Sequence, residues 1–364
     1  MTTSCLFAPP EVTFPMPQTE PAPTASTKAA TTATGEPMTL AQIGEDELLA
    51  RIFPLLPVPA ATSLGPGDDA AVIASGIGET GIVLTTDTMV RGKDWLDEWS
   101  SAADVGAKCV AQNLADVAAM GARPAGLLVT LIADAATPLQ WAVELSRGIG
   151  QAAAAADTGV LGGDLSSAGA GVLSVSITAV GRLDGPPVTR SGARPGDVVA
   201  VAGTLGRAAA GLELFLAGDW QDARADAVEL LSAQRCPSPP LAAGPRAAQA
   251  GARAMIDLSD GLVRDAGRVA AASGVRIELL AEALAQDIAA LAPFVGGEAA
   301  RACVLAGGEE HSLLACFPAE QELPQGLPQG FRPIGRVLAA GPEGPGVTVD
   351  GVAPQVSGWD HFGG

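Results

Sequence analysis

The chain has 364 residues, of which 48% are hydrophobic and 45 are glycine, so it is long enough for two packed domains and too apolar to be disordered throughout. Its 21 Lys and Arg stand against 40 Asp and Glu, a net charge of -19 that argues against broad nucleic-acid binding and requires bridging cations for any anionic ligand. The cysteines at 5, 109, 236, 303 and 316 form no C-x-x-C pair, and no apolar run reaches the roughly 18 residues of a membrane span, so a soluble protein in a reducing, cytoplasmic setting is expected.

Residues 1–37 are rich in Pro, Thr and Ala and have neither periodicity nor a basic segment followed by an apolar one. They read as a disordered extension without a secretory signal. Met38 is a candidate start, because the first amphipathic helical pattern follows it at Leu48, Leu49, Ile52 and Phe53. A glycine turn, GPGDD, then leads into a strand at Ala71–Ala74 and a second strand from Ile82 to Thr86 that ends on Asp87. Ser101 with Asp104 forms a capping-box signature for a helix closed by Gly121, and another helix is expected from Thr137, with Pro138 in its first turn, toward Gly159. Strands are expected at Leu127–Ile132 and Val172–Val180.

The run Asp184-Gly185-Pro186-Pro187 marks the expected boundary between an N-terminal domain (38–187) and a C-terminal domain (188–364). In the second half a strand is expected at Asp197–Ala202, a helix at Leu205–Leu216, a strand end at Met255–Asp257 and a helix at Leu262–Ala272. The alternation predicts an α/β protein of two domains, with strand order left open.

The chain has no P-loop and no protein-kinase signature set. GPGDDA at 65–70 fits a dinucleotide fingerprint only in letters, since no strand precedes it and no helix opens on it. What remains is a set of carboxylates beside Gly, Ser or Thr in apolar stretches: Asp68, Asp69, Asp87, Asp116, Asp164, Asp257 and Asp260. Hard oxygen donors of this kind suit Mg²⁺ shared with substrate phosphates, and phosphoryl transfer needs mainly positioning and charge neutralisation. Each has a plainer reading as well. Asp69 can be a turn former, Asp116 a solvated acid late in a helix, and Asp260 a helix N-cap.

The segments GPGDDAAV, LTTDTMV, NLADVAAMGA, GGDLSS, TRSGARPGD, IDLSDGL, GGEEHSL and GWDHF occur in the order seen in thiamine-monophosphate kinases, and over about residues 38–362 the chain resembles that family. The resemblance implies transfer of the ATP γ-phosphoryl group directly to thiamine monophosphate, assisted by several Mg²⁺ ions. It implies metal contacts at Asp68, Thr85, Thr86, Asp87, Asp116, Asp164, Asp257 and Asp260, with Asp87, Asp116 and Asp164 central to catalysis. Nucleotide contacts fall on Gly163, Asp164, Arg190 and Ser259, and substrate contacts on Asp94, Glu309 and Trp359. Trp359 can offer an aromatic face to a cationic thiazolium, or anchor the C-terminal core. Two domains like those of aminoimidazole ribonucleotide synthetase and a homodimer built through the N-terminal domains are also implied.

Three positions depart from the family pattern. Asp94 stands where a substrate-contacting His is common, Leu165 follows GGD where Thr is frequent, and Glu310-His311 replaces Asp-Tyr or Asp-His. Competing readings are a non-catalytic binding protein, which would be expected to lose carboxylates, and two related enzyme classes. Selenide water dikinase calls for a reactive N-terminal Cys in a glycine-rich loop, and hydrogenase-maturation relatives carry a C-terminal Cys that this chain, ending in HFGG, does not have.

Overall fold

The computed structural model describes residues 62–65, 68–74, 81–218, 220, 225–319, 323, 325–356 and 358; the amphipathic pattern after Met38 and the expected substrate contact Trp359 lie outside them. Two six-stranded sheets, each with packed helices, make up the architecture.

The first sheet holds β1 (Thr62–Leu64), β2 (Ala71–Ala74), β3 (Gly81–Val90), β4 (Arg123–Asp134), β5 (Val160–Ala168) and β6 (Leu173–Arg182) in the order β1-β2-β3-β6-β4-β5. Only the β4–β5 pair in it is parallel. Along β3 the side chains alternate, with Val83 and Met89 buried and Ile82, Thr86, Thr88 and Val90 facing out. This strand continues through Asp87 to Val90, so Asp87 sits inside a strand rather than at its end: Met89 supplies one more inward apolar residue that keeps the ladder going.

Two helices cover the inner face, α1 (Ala102–Ala119) and α2 (Leu139–Ala155). The capping box of Ser101 and Asp104 is formed, whereas α2 starts two residues later than expected, with Pro138 as its N-cap rather than in its first turn. The helices touch backbone to backbone. A Cβ on Gly148 would lie 2.1 Å from the Ala103 carbonyl oxygen, and one on Gly106 would lie 2.5 Å from that of Leu145, so only glycine admits this approach. Val105, Cys109, Leu114 and Val117 of α1 pack on Val175 and Ile177 of β6 in the first core.

The second half comprises β7 (Val198–Ala202), α3 (Arg207–Ala217), α4 (Ala225–Arg235), α5 (Ala243–Gln249), β8 (Ala254–Asp257), α6 (Leu262–Ser273), β9 (Val275–Leu279), α7 (Ala281–Val295), α8 (Gly297–Ala306), β10 (Leu313–Phe317), β11 (Phe331–Ala339) and β12 (Gly346–Val349). Its sheet runs β12-β9-β11-β7-β10-β8, antiparallel except for β9–β12. The core gathers Val199, Val201, Ile256, Ile277, Leu305 and Ile334.

A third apolar cluster ties the halves together. Ala118 and Ala119 at the end of α1 join Val188, Met255, Phe317 and Phe331 from the second half, and the two Phe rings meet edge to face at 5.0 Å. The end of α1 is pressed onto α5, where a Cβ on Gly244 would fall 2.0 Å from the Ala118 carbonyl oxygen. This seam fixes the cleft that α1 shares with the second sheet. Among the described residues no helix is long and apolar enough to cross a membrane.

Candidate active site

The cleft holds a cavity of about 530 Å³ lined from both halves. Eight acidic and four basic side chains line it, so the protein leaves an excess of negative charge there.

One end is built of carboxylates. Asp87 projects from the inner face of β3, and its backbone N–H donates to the Asn113 side chain of α1 at 3.0 Å, while Asn113 donates in turn to the Cys109 carbonyl at 2.8 Å. Asp116 lies one turn further along α1 and accepts from the Thr85 hydroxyl at 2.7 Å. This is not a solvated helix face: burial, added to by the nearby charges of Asp87 and Asp257, pushes the Asp116 carboxyl well above its usual range. From the second half, Asp257 closes β8 and meets the His311 ring at 3.0 Å.

Asp68 and Asp69 face Arg190 of the interdomain segment. The Arg190 backbone N–H donates to Asp68 at 3.0 Å and its Nε to Asp69 at 2.8 Å. Asp69 is therefore a cavity residue with a fully buried carboxylate rather than a simple turn former. Burial raises it to about 8, a shift that Arg190 opposes and Asp257 and Asp68 reinforce. Among the described residues its Oδ2 has no hydrogen-bond partner.

Asp260 is not the N-cap of α6, correcting the sequence expectation. Gly261 occupies that position at φ +116° with no side-chain cap, because a Cβ there would fall 2.6 Å from the Ala306 carbonyl oxygen. The orphan N–H groups of Asp260 and Gly261 go instead to Asp265, each at 3.0 Å. Asp260 is left to face the cavity, paired with Arg268 at 2.7 Å.

These acids suit Mg²⁺. The donors are hard oxygens, a buried Asp69 oxygen has no donor among the described residues, and burial drives two carboxyls toward protonation. Among the described residues no three acidic, His or Cys side chains close a cage around an ion by themselves.

The other end is aromatic and apolar, lined by Trp95, Leu96, Trp99, Leu212 and Phe215. Trp99 and Phe215 stack at 5.0 Å and 16°, with the Arg235 guanidinium 5.0 Å over the Phe215 ring. Between the two ends Lys108 of α1 pairs with Glu309 at 2.6 Å. Burial works against the Glu309 charge, but Lys108, with help from Gln234 and His311, holds its carboxyl below the ordinary range.

Of the residues named from sequence, Asp68, Thr85, Asp87, Asp94, Asp116, Arg190, Asp257, Ser259, Asp260 and Glu309 line the cavity. Thr86 does not: it faces the outer side of the sheet and exchanges hydrogen bonds with Thr178 and the Ile177 carbonyl. Gly163 and Asp164 do not either. They lie on the edge strand β5, where Asp164 shares a row with Thr130, Ser176 and Thr88. Asp94 accepts from the Val90 N–H at 2.7 Å and so closes its own turn while lining the cavity. Sequence reasoning missed Lys108, Asn113, Gln234, Arg268 and the aromatic wall. Lys108, Gln112 and Asp116 are spaced four apart on one helical stripe, a legible signal for the first of these.

Residues 67–183 match the family described as AIR synthase related protein, N-terminal domain, and residues 194–339 its C-terminal counterpart. The chain is 44% identical over 343 residues to a thiamine-monophosphate kinase of Mycobacterium tuberculosis, covering 93% of this chain and 97% of that one. It is 35% identical over 329 residues to one of Corynebacterium glutamicum, with 89% and 95% covered. Among solved structures, AaThiL complexed with AMPPCP and TMP superposes with a TM-score of 0.78 at 31% identity over 89% of this chain and 99% of that one. A two-domain fold, a carboxylate cluster beside an aromatic wall and identity along nearly the full length agree: the chain belongs to the thiamine-monophosphate kinase family.

Proposed function

We propose that the protein transfers the γ-phosphoryl group of ATP in line to the phosphate of thiamine monophosphate, giving thiamine diphosphate and ADP. The observation that carries this reading is the division of one cavity into a carboxylate end and an aromatic end. The first suits cation-bridged phosphates, and the second suits a flat heteroaromatic cation.

Asp68, Thr85, Asp87, Asp116, Asp257 and Asp260 are the cavity residues that would hold Mg²⁺, which when bound supplies neutralising charge for the transferring group. Arg190 and Ser259 orient the nucleotide, while Glu309, Asp94 and Trp359 contact thiamine monophosphate. Gly163 and Asp164, with Thr86, belong to the same nucleotide and metal set through a homodimer built on the outer face of the first sheet. That face supports the reading, since Ile82, Val90 and Leu128 are exposed on it and every residue of β5 from Val160 to Ser167 is exposed. The boundary between the domains lies at 187/188, in the segment between β6 and β7. A cytoplasmic location accords with the unpaired thiols of Cys109, Cys236, Cys303 and Cys316.

The test is purified protein with ATP, Mg²⁺ and thiamine monophosphate, followed by chromatography. Thiamine diphosphate and ADP are expected in equal amounts, with thiamine itself a poor acceptor. Equal turnover of thiamine would show that the acceptor is wrongly assigned.

A further inference from the structure

Gln234 sits near the end of α4 and lines the cavity, 9% exposed. Its Nε2 donates to Glu309 Oε2 at 2.6 Å, and the other carboxylate oxygen of Glu309 is taken by Lys108 at 2.6 Å. An ionised carboxylate only accepts, so the amide of Gln234 has to present its nitrogen to Glu309. Its oxygen is thereby turned elsewhere. Gln234 Oε1 is buried and has no hydrogen-bond partner among the described residues, a condition that buried polar groups rarely tolerate.

The surroundings restrict what can satisfy this acceptor. Gly211 of α3 lets the two helices close up, since a Cβ there would lie 2.1 Å from the Leu230 carbonyl oxygen and 3.1 Å from Gln234 Cβ. The amide is therefore held in place by packing as well as by Glu309. The same cavity is lined by Trp99 and Phe215, stacked flat against each other. A flat ring carrying an N–H donor at its edge matches both features. Thiamine monophosphate has one such group, the exocyclic amino group of its aminopyrimidine ring.

We propose that Gln234 is a specificity-determining residue whose Oε1 accepts a hydrogen bond from that amino group, with Lys108 and Glu309 positioning the amide. The assignment rests on the functional reading above. A substrate that bears a carbonyl oxygen in place of the amino group sets acceptor against acceptor and is discriminated against, because the site's buried polar atom is then left unpaired.

The experiment compares kcat/KM for thiamine monophosphate and for its 4-oxo analogue, oxythiamine monophosphate, with ATP and Mg²⁺, in the wild type and in Gln234→Met. The wild type is expected to prefer the amino compound by about tenfold or more. Gln234→Met is expected to lose roughly ten- to a hundredfold on the amino compound, mainly through KM, with KM for ATP unchanged and the preference collapsing toward one. Gln234→Asn, which withdraws the same amide by one methylene, is the second variant, with the same collapse expected. A purely structural role for Gln234 would lower both substrates equally and keep the wild-type ratio, which overturns the assignment. A wild type that phosphorylates both compounds equally well overturns the assignment alone, whereas one that phosphorylates neither overturns the functional reading and the assignment with it.

Discussion

Lys108 of α1 and Glu309 of the second half form a 2.6 Å ion pair across the cleft, with the lysine side chain 4% exposed and the glutamate 36%. The pair belongs to both halves at once, so it couples their relative placement to the middle of the cavity.

Removing one partner leaves the other charge poorly compensated. Lys108→Met is expected to cost about 1–3 kcal/mol, less than a fully buried pair because Glu309 is partly solvated. Adding Glu309→Gln should recover most of the loss in melting temperature without recovering KM for thiamine monophosphate. Thermal denaturation of the single and double variants, alongside steady-state kinetics, checks both halves of this statement.

Asp87→Asn and Asp116→Asn keep side-chain size and remove a charge from the crowded acidic end. Each is expected to lower kcat by a factor of 100 or more, about 2.7 kcal/mol of transition-state stabilisation. Without Mg²⁺ Asp116→Asn should melt no lower than the wild type, since the buried carboxyl is under strain from burial and from Asp87. Near-normal turnover of both variants would return these acids to structural roles.

The raised carboxyls predict a pH dependence that the cation suppresses. Asp69, at about 8 in the folded chain against roughly 3.9 unfolded, binds its proton more tightly when folded. Its contribution to stability is therefore fullest below the unfolded value and declines as pH rises toward 8. Asp116, shifted the same way, adds to the decline. Mg²⁺ favours the ionised forms, so the rise in melting temperature on adding Mg²⁺ should grow between about pH 6 and pH 8. A cation effect that is flat across this range would contradict the assignment of Asp116 to the cation site, with Asp69 beside it.

Asp94 serves the 90–94 turn through the Val90 N–H and also faces the cavity. Asp94→Asn keeps an acceptor for the turn while removing the charge, whereas Asp94→Ala removes both. If the charge meets the cationic part of the substrate, both variants raise KM for thiamine monophosphate and leave that for ATP almost untouched. If the carboxylate serves the turn alone, Asp94→Asn behaves as the wild type.

Phe317 joins the halves at the foot of the cleft and is fully buried. Phe317→Ala is expected to cost about 3–5 kcal/mol, read as a drop in the denaturant midpoint, and to weaken binding of both substrates together because the cleft's walls lose their common seam.

The capping box at Ser101 and Asp104, the strands around Asp87 and Ala200, and the helix after Gly261 were legible from residue order, because caps, alternation and glycine stops are local effects. So was the acidic end of the cavity, since carboxylates in apolar stretches are costly unless used. The strand β5 was not legible: VLGGDLSSA has little strand character of its own and is held by parallel pairing with β4. Residues 275–349 received no predicted elements, although they supply four strands and two helices of the second half. Nor could order along the chain show that Asp260 cedes the helix cap to Gly261 while Asp265 takes the backbone N–H groups. That depends on Ala306 pressing against the turn. Residue types and local spacing thus pointed to acids that line the cavity, Asp164 excepted, and to many of the helices and strands around them. Only the tertiary structure decided that Lys108 and Gln234 meet Glu309, and that Trp99 stacks on Phe215, because these contacts join residues 201, 75 and 116 positions apart along the chain and arise from packing, across the two halves for Lys108 and Trp99 and within the second half for Gln234.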